Sequence, residues 1–120
     1  MMFLDDWKSK QDMVRDFTGI YYDDKIPMDQ FEHVDVLLAS YSYRYYSGDA
    51  FVLFRDNRDG LLYEVYGGHC SCYGLEGQWR PELCDLESLR HRLKQGTLGC
   101  SYSGNEFKSE LGEILDRLKG

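Results

Sequence analysis

Three stretches of alternating side chains, separated by short polar turns, constrain this chain more than any other feature. From Val36 to Tyr46 the residues alternate, with Leu37, Ala39, Tyr41, Tyr43 and Tyr45 on one face and Val36, Leu38, Ser40, Ser42 and Arg44 on the other, the period of a β-strand. Ser47-Gly48-Asp49 supplies a turn into a second strand, Ala50 to Arg55. The loop Asp56-Asn57-Arg58-Asp59-Gly60, whose glycine can take positive φ, leads into a third strand from Leu61 to Tyr66. Connections this short join antiparallel neighbours, so the middle of the chain reads as a three-stranded or slightly larger meander. Gly67-Gly68 is expected to end the regular pairing.

A meander of this size cannot bury its apolar side alone, and the flanking segments carry helical patterns that would cover one face of it. At the N-terminus Leu4, Trp7, Val14 and Phe17 fall on a stripe of 3.6-residue period interrupted by Gln11, with Asp5 and Asp6 at the helix start and Gly19 at its end. Ile20 to Gln30, containing Pro27, reads as a connection with a short helical turn near Met28 to Phe31. Asp85 can cap a helix that buries Leu86, Leu89 and Leu93, turns Arg90, His91, Arg92 and Lys94 to water and stops at Gly96. Ser103 and Glu106 resemble a capping box before a last helix with Phe107, Leu111, Ile114, Leu115 and Leu118 on one side. The expected class is α+β, an antiparallel meander packed against N-terminal and C-terminal helices. With 120 residues and 42% hydrophobic content, residues 1–120 are expected to form one globular domain.

No apolar run approaches the roughly 20 residues needed to cross a bilayer, and Met1 to Lys8 carries acids where a secretory signal carries bases. A cytoplasmic location without membrane contact is the expectation. The net charge is −7, from 14 Lys and Arg against 21 Asp and Glu. That sign disfavours direct nucleic-acid binding, whose affinity comes from basic side chains that displace counterions. Residues 1–35 hold nine acids and four bases, 85–120 six of each, so the acidity is an N-terminal property. It suits a partner with a basic surface.

Cys70, Cys72, Cys84 and Cys100 are an even set without a secretory signal, which reads as reduced thiols rather than a disulfide framework. His69, Cys70, Cys72 and Cys84 (or Cys100) are candidate zinc ligands. A one-residue spacer between Cys70 and Cys72 puts both thiols on one face of an extended chain but departs from the usual zinc knuckle. Cys70 or Cys72 with His69, His33 or His91 as base would make a thiol-dependent enzyme. His69 can equally bond a backbone group at the end of the third strand. Cofactors are expected to be none, with zinc as the alternative. No phosphate-cradling glycine loop follows any strand.

Ten tyrosines point elsewhere. A tyrosine offers a large rigid face and one polar handle, and Tyr41, Tyr43 and Tyr45 share one face of a strand, either as an interaction stripe or as the half-buried underside of the sheet. With Tyr46, Asp49, Asp23 and Asp24 they make an acidic, tyrosine-rich candidate surface for a basic protein. Trp79-Arg80-Pro81 is expected to be a packed arm, with Trp79 and Leu75 seating the segment 67–79 on the meander and Arg80 available to stack on the indole.

The stretch Gly67-Gly68-His69-Cys70-Ser71-Cys72-Tyr73-Gly74-Leu75-Glu76-Gly77-Gln78-Trp79 resembles a motif of small bacteriophage and prophage proteins without an assigned activity, and the similarity extends over Phe51 to Leu93. The resemblance implies a small accessory protein that acts by occupying a host protein, including components of antiviral defence such as CRISPR systems; it transfers no catalytic residues. The expected function is therefore that of a non-enzymatic inhibitor in a host cytoplasm, with a homo-oligomer left open. A small zinc-binding module is the alternative, and a thiol-dependent enzyme the second alternative.

Overall fold

A computed structural model describes residues 2–22, 24–44, 47–70, 74–95 and 107–118. It is an α+β fold built on a five-stranded mixed sheet in the order β1 (Met2–Asp5), β2 (Val34–Arg44), β3 (Ser47–Asp56), β4 (Leu62–Cys70), β5 (Glu82–Cys84). The antiparallel meander is β2–β3–β4, extended by antiparallel β5 at one edge and by β1, parallel to β2, at the other. Helices α1 (Lys10–Thr18), α2 (Leu86–Gln95) and α3 (Lys108–Leu118) complete it, with a 3-10 turn at Met28–Phe31.

The N-terminal helix is shorter than its stripe suggests. Residues 2–5 form a strand, and Asp5 turns the chain out of it in the left-handed region at φ 60°. Ser9 is the true N-cap: its Oγ accepts from Asp12 N at 3.3 Å, while Asp12 Oδ2 accepts from Lys8 N at 2.9 Å. Gly19 closes α1 at φ 72°, its N–H donating to Arg15 O.

Both faces of the sheet are covered, not one. On the first face α1, the 3-10 turn and residues 74–79 pack Trp7, Val14, Phe17, Phe31 and Leu75 against Val36, Ala39, Tyr41, Val52 and Phe54. On the second, α2 and α3 bring Leu89, Phe107, Leu111 and Leu115 onto Leu38, Phe51 and Leu53. The central strand β3 is accordingly buried from Ala50 to Phe54 without alternation.

Irregularities move several residues from their expected places. A shift in the β2–β3 register between Val36 and Leu38 puts Val36 on the same side as Ala39 and Tyr41, and Leu37 on the side of Leu38. Ser47-Gly48-Asp49 lies inside β3, paired with Arg44, Tyr43 and Ser42, so the connection falls at residues 45 and 46, outside the described residues. Gly67 and Gly68 do not end β4 but pair with Ala50 and Asp49. Gly67 is needed for close approach, since a Cβ there would stand 2.9 Å from Leu75 Cδ2, whereas one at Gly68 would meet nothing within 4 Å.

Asp85 caps α2 as expected, accepting from Ser88 N at 2.7 Å. Arg90 and Arg92, however, turn inward. Arg90 donates to Leu115 O at 3.0 Å, and Arg92 grips buried Glu64 through two bonds of 2.9 and 2.6 Å and donates to the Tyr66 hydroxyl. These contacts tie α2 to α3 and to β4. The proposed stop at Gly96 and the Ser103–Glu106 capping box lie outside the described residues.

Candidate binding surface

The acidic, tyrosine-bearing part of the molecule forms where β1 runs into α1. Asp6 continues the pairing beyond β1, its N–H donating to Tyr41 O at 2.8 Å and its Oδ2 accepting from Tyr43 N at 3.0 Å. This carries Trp7 onto the first face of the sheet, where it is 1% exposed and packs on Phe17 and Tyr41. The buried indole N–H needs an acceptor and finds Asp16 Oδ2 at 2.6 Å, while the Tyr21 hydroxyl donates to Asp16 Oδ1 at 3.1 Å. One carboxylate thus fixes an aromatic floor and an aromatic wall.

Asp6, Trp7, Asp12, Arg15, Asp16 and Tyr21 line an open hollow of about 240 Å³. Arg15 partly offsets Asp12, at 3.5 Å. Burial, and then the charge of Asp16, push the Tyr21 phenol up to about 12, so it remains a neutral donor at physiological pH. Beside the hollow Tyr22 is 73% exposed, with Lys25 Nζ 5.9 Å above its ring. Asp24 is exposed on the same connection.

Of the residues selected from sequence, Asp24 alone joins this exposed group. Tyr41 is buried beneath it; its hydroxyl bonds His69 Nδ1, and burial followed by the charges of Asp16 and Asp6 suppress its ionisation. Tyr43 is half-buried and stacks on the His69 ring at 4.2 Å. Tyr41 and Tyr43 are therefore support for the surface. Asp49, two positions from Phe51 on β3, faces the α2–α3 side of the sheet, away from Tyr41 and Tyr43. Asp23, Tyr45 and Tyr46 lie outside the described residues.

Trp7, Asp6, Asp12, Asp16 and Tyr21 were not selectable from strand periodicity. The available signal was the spacing of Asp12 and Asp16, one turn apart on a helix, next to a Tyr21-Tyr22 pair in the acidic third of the chain.

The sulfur-bearing segment is dispersed. His69 and Cys70 are consecutive on β4 and point to opposite faces, and Cys84 stands opposite Leu62. Eight positions, about 26 Å of strand, separate Leu62 from Cys70. The structure does not bring His69, Cys70 and Cys84 together, and among the described residues no three His, Cys, Asp or Glu side chains are grouped as metal ligands. Cys72 and Cys100 lie outside the described residues. Burial, with Glu64 nearby, pushes the Cys84 thiol up to about 12, the opposite of what a nucleophile needs. His91 is exposed on α2. Trp79 packs edge-on to Phe17 and Phe31 and stacks on Phe54, while Arg80 is exposed.

No helix among the described residues is long and apolar enough to cross a membrane. No protein-family model, curated protein or solved structure matches the chain.

Proposed function

We propose that this chain is a non-enzymatic binding protein that docks a basic protein surface on the β1–α1 junction and the Tyr21–Asp24 connection. The observation that carries the reading is the exposed Tyr21–Tyr22 pair at the rim of a hollow walled by Asp6, Asp12 and Asp16. Exposed tyrosines give contact area at low entropic cost, and carboxylates around them select and steer cationic partners. Trp7, Tyr41 and His69 are packed underneath, so the surface is formed before the partner arrives.

The phage-like motif at 67–79 gives the setting: a host protein, of which an antiviral defence component is one kind, blocked by occupation. Capture from a bacterial lysate identifies the partner, and association kinetics against it test the reading. Raising salt should slow association more than it speeds dissociation. Tyr22→Ser and Asp24→Lys should each weaken binding while leaving the denaturation midpoint unchanged. Salt-independent association, or full affinity in both variants, rejects this surface.

A further inference from the structure

At the far edge of the sheet, β4 has a gap one residue long. Both backbone groups of Gly68 are held by the Gln78 carboxamide: Gly68 N donates to Oε1 at 2.8 Å and Nε2 donates to Gly68 O at 2.7 Å. The remaining Nε2 hydrogen goes to Gly74 O, also at 2.7 Å. Gly68 therefore turns its N–H and C=O away from β3. These groups alternate sides along an antiparallel strand, so Tyr66, Glu64 and Leu62 present theirs to the same edge. Strand β5 covers Leu62 and Glu64 through Cys84 and Glu82. In continued register Arg80 would stand opposite Tyr66, but the pairing stops at Glu82, and no other backbone group or side chain among the described residues meets the outward N–H and C=O of Tyr66.

A notch of about 320 Å³ opens there, lined by Tyr66, Gln78, Arg80 and Glu82. The side chains of Arg80 and Glu82 make no hydrogen bond or ion pair among the described residues. The notch thus presents a backbone donor and acceptor side by side, flanked by one cationic donor and one anionic acceptor.

We propose that this notch binds a primary carboxamide, in the manner in which Gln78 already clasps Gly68. The carboxamide oxygen accepts from Tyr66 N–H and from Arg80. One amide hydrogen goes to Tyr66 C=O, and the other goes to Glu82, the part that Gly74 O plays for Gln78. A carboxylate would leave Tyr66 C=O without a donor and face Glu82; an ammonium would leave Tyr66 N–H and Arg80 without an acceptor. An extended strand is too long, since the filled positions at Glu64 and Gly68 are about 13 Å apart.

The test is a titration of the isotope-labelled chain with N-acetyl-glutamine methylamide, followed at the Tyr66 amide resonance. A saturable shift there is expected. The N,N-dimethylated carboxamide, which keeps the acceptor but loses both donors, should bind about a hundredfold more weakly, the loss of one charge-assisted and one neutral hydrogen bond. Glu82→Leu and Arg80→Leu, both at exposed positions, should each weaken the primary amide about tenfold, the loss of one charge-assisted hydrogen bond. An acetylated, amidated Ala-Gln-Ala peptide separates the sources: tighter binding than the single amide marks a protein side chain as the occupant, equal binding a small amide. The absence of a saturable Tyr66 shift, or equal affinity for the dimethylated probe, overturns the proposal.

Discussion

Truncating Trp79 to alanine should destabilise the protein by about 3 kcal/mol, near the lower end for large aromatic side chains because the indole is only half-buried. Its ring centroid lies 5.1 Å from Phe17, 5.2 Å from Phe31 and 5.5 Å from Phe54. Each such pair is worth about 0.5–1.5 kcal/mol beyond area burial, and because the three share one ring their sum is an upper bound. The indole joins four separate segments: α1, the 3-10 turn, β3 and its own loop. Trp79→Phe keeps an aromatic ring among the same neighbours and should cost about 1 kcal/mol. Urea denaturation measures both. The chain has two tryptophans, so the buried Trp7 remains as a fluorescence reporter in each variant, and an unchanged denaturant slope confirms that stability alone has moved. A loss under about 0.5 kcal/mol for Trp79→Ala, the range of surface substitutions, would refute the packing role and place Trp79 among binding residues.

Removing Arg92 strands a buried carboxylate: Arg92→Ala should cost on the order of 3 kcal/mol, whereas the double replacement Glu64→Leu with Arg92→Met should recover most of it in the same denaturation assay. Gly67→Ala forces Leu75 to move and should cost about 1–2 kcal/mol, while Gly68→Ala, with open space for a Cβ, should gain about 0.5 kcal/mol. Asp56 accepts the side chain and backbone N–H of Arg58, which hold its carboxyl down at about 2. A carboxyl depressed on folding adds stability above its unfolded pKa and loses it as pH falls through the folded value. Acid titration should therefore show a stability loss between about pH 4 and pH 2 that is smaller in Asp56→Asn.

The antiparallel order of the three meander strands is legible because short connections are local, although the sequence pattern puts the first turn on residues that lie inside β3 and ends the third strand before Gly67-Gly68. Gly60 takes φ 75° at the end of the Asp56–Gly60 loop, and the apolar stripe of α3 is buried as its spacing requires. Other features depend on partners that a single segment does not reveal. The bulge near Leu37 exchanges the faces of Val36 and Leu37 without changing composition. Arg92 looks like any surface arginine on a helix until Glu64 is placed under it. Two-sided burial did have a sequence signal, the unbroken run Ala50-Phe51-Val52-Leu53-Phe54, whose lack of alternation implies cover on both faces. Strand β5 has only three residues, too short for any periodicity to show.

The boundary between β1 and α1 decides where the acidic surface lies. Read as one helix from Leu4, the N-terminus would set Asp5 and Asp6 at a helix start, far along the axis from Tyr21. The chain instead places Phe3 toward one sheet face and Met2 and Leu4 toward the other, an alternation that only a strand produces. It then turns at Asp5 and restarts as a helix under the Ser9–Asp12 cap. This break lets Asp6 bond the edge of β2 and lets Trp7 fold beneath α1, where Asp16 meets its indole. Asp12 and Asp16, spaced by one helical turn, then both line the hollow, and Gly19 ends the helix in time for Tyr21 to return to Asp16. The cluster of Asp6, Asp12 and Asp16 is thus gathered on one surface by a strand-to-helix break. A variant that restored a continuous helix would scatter it without changing a single charge.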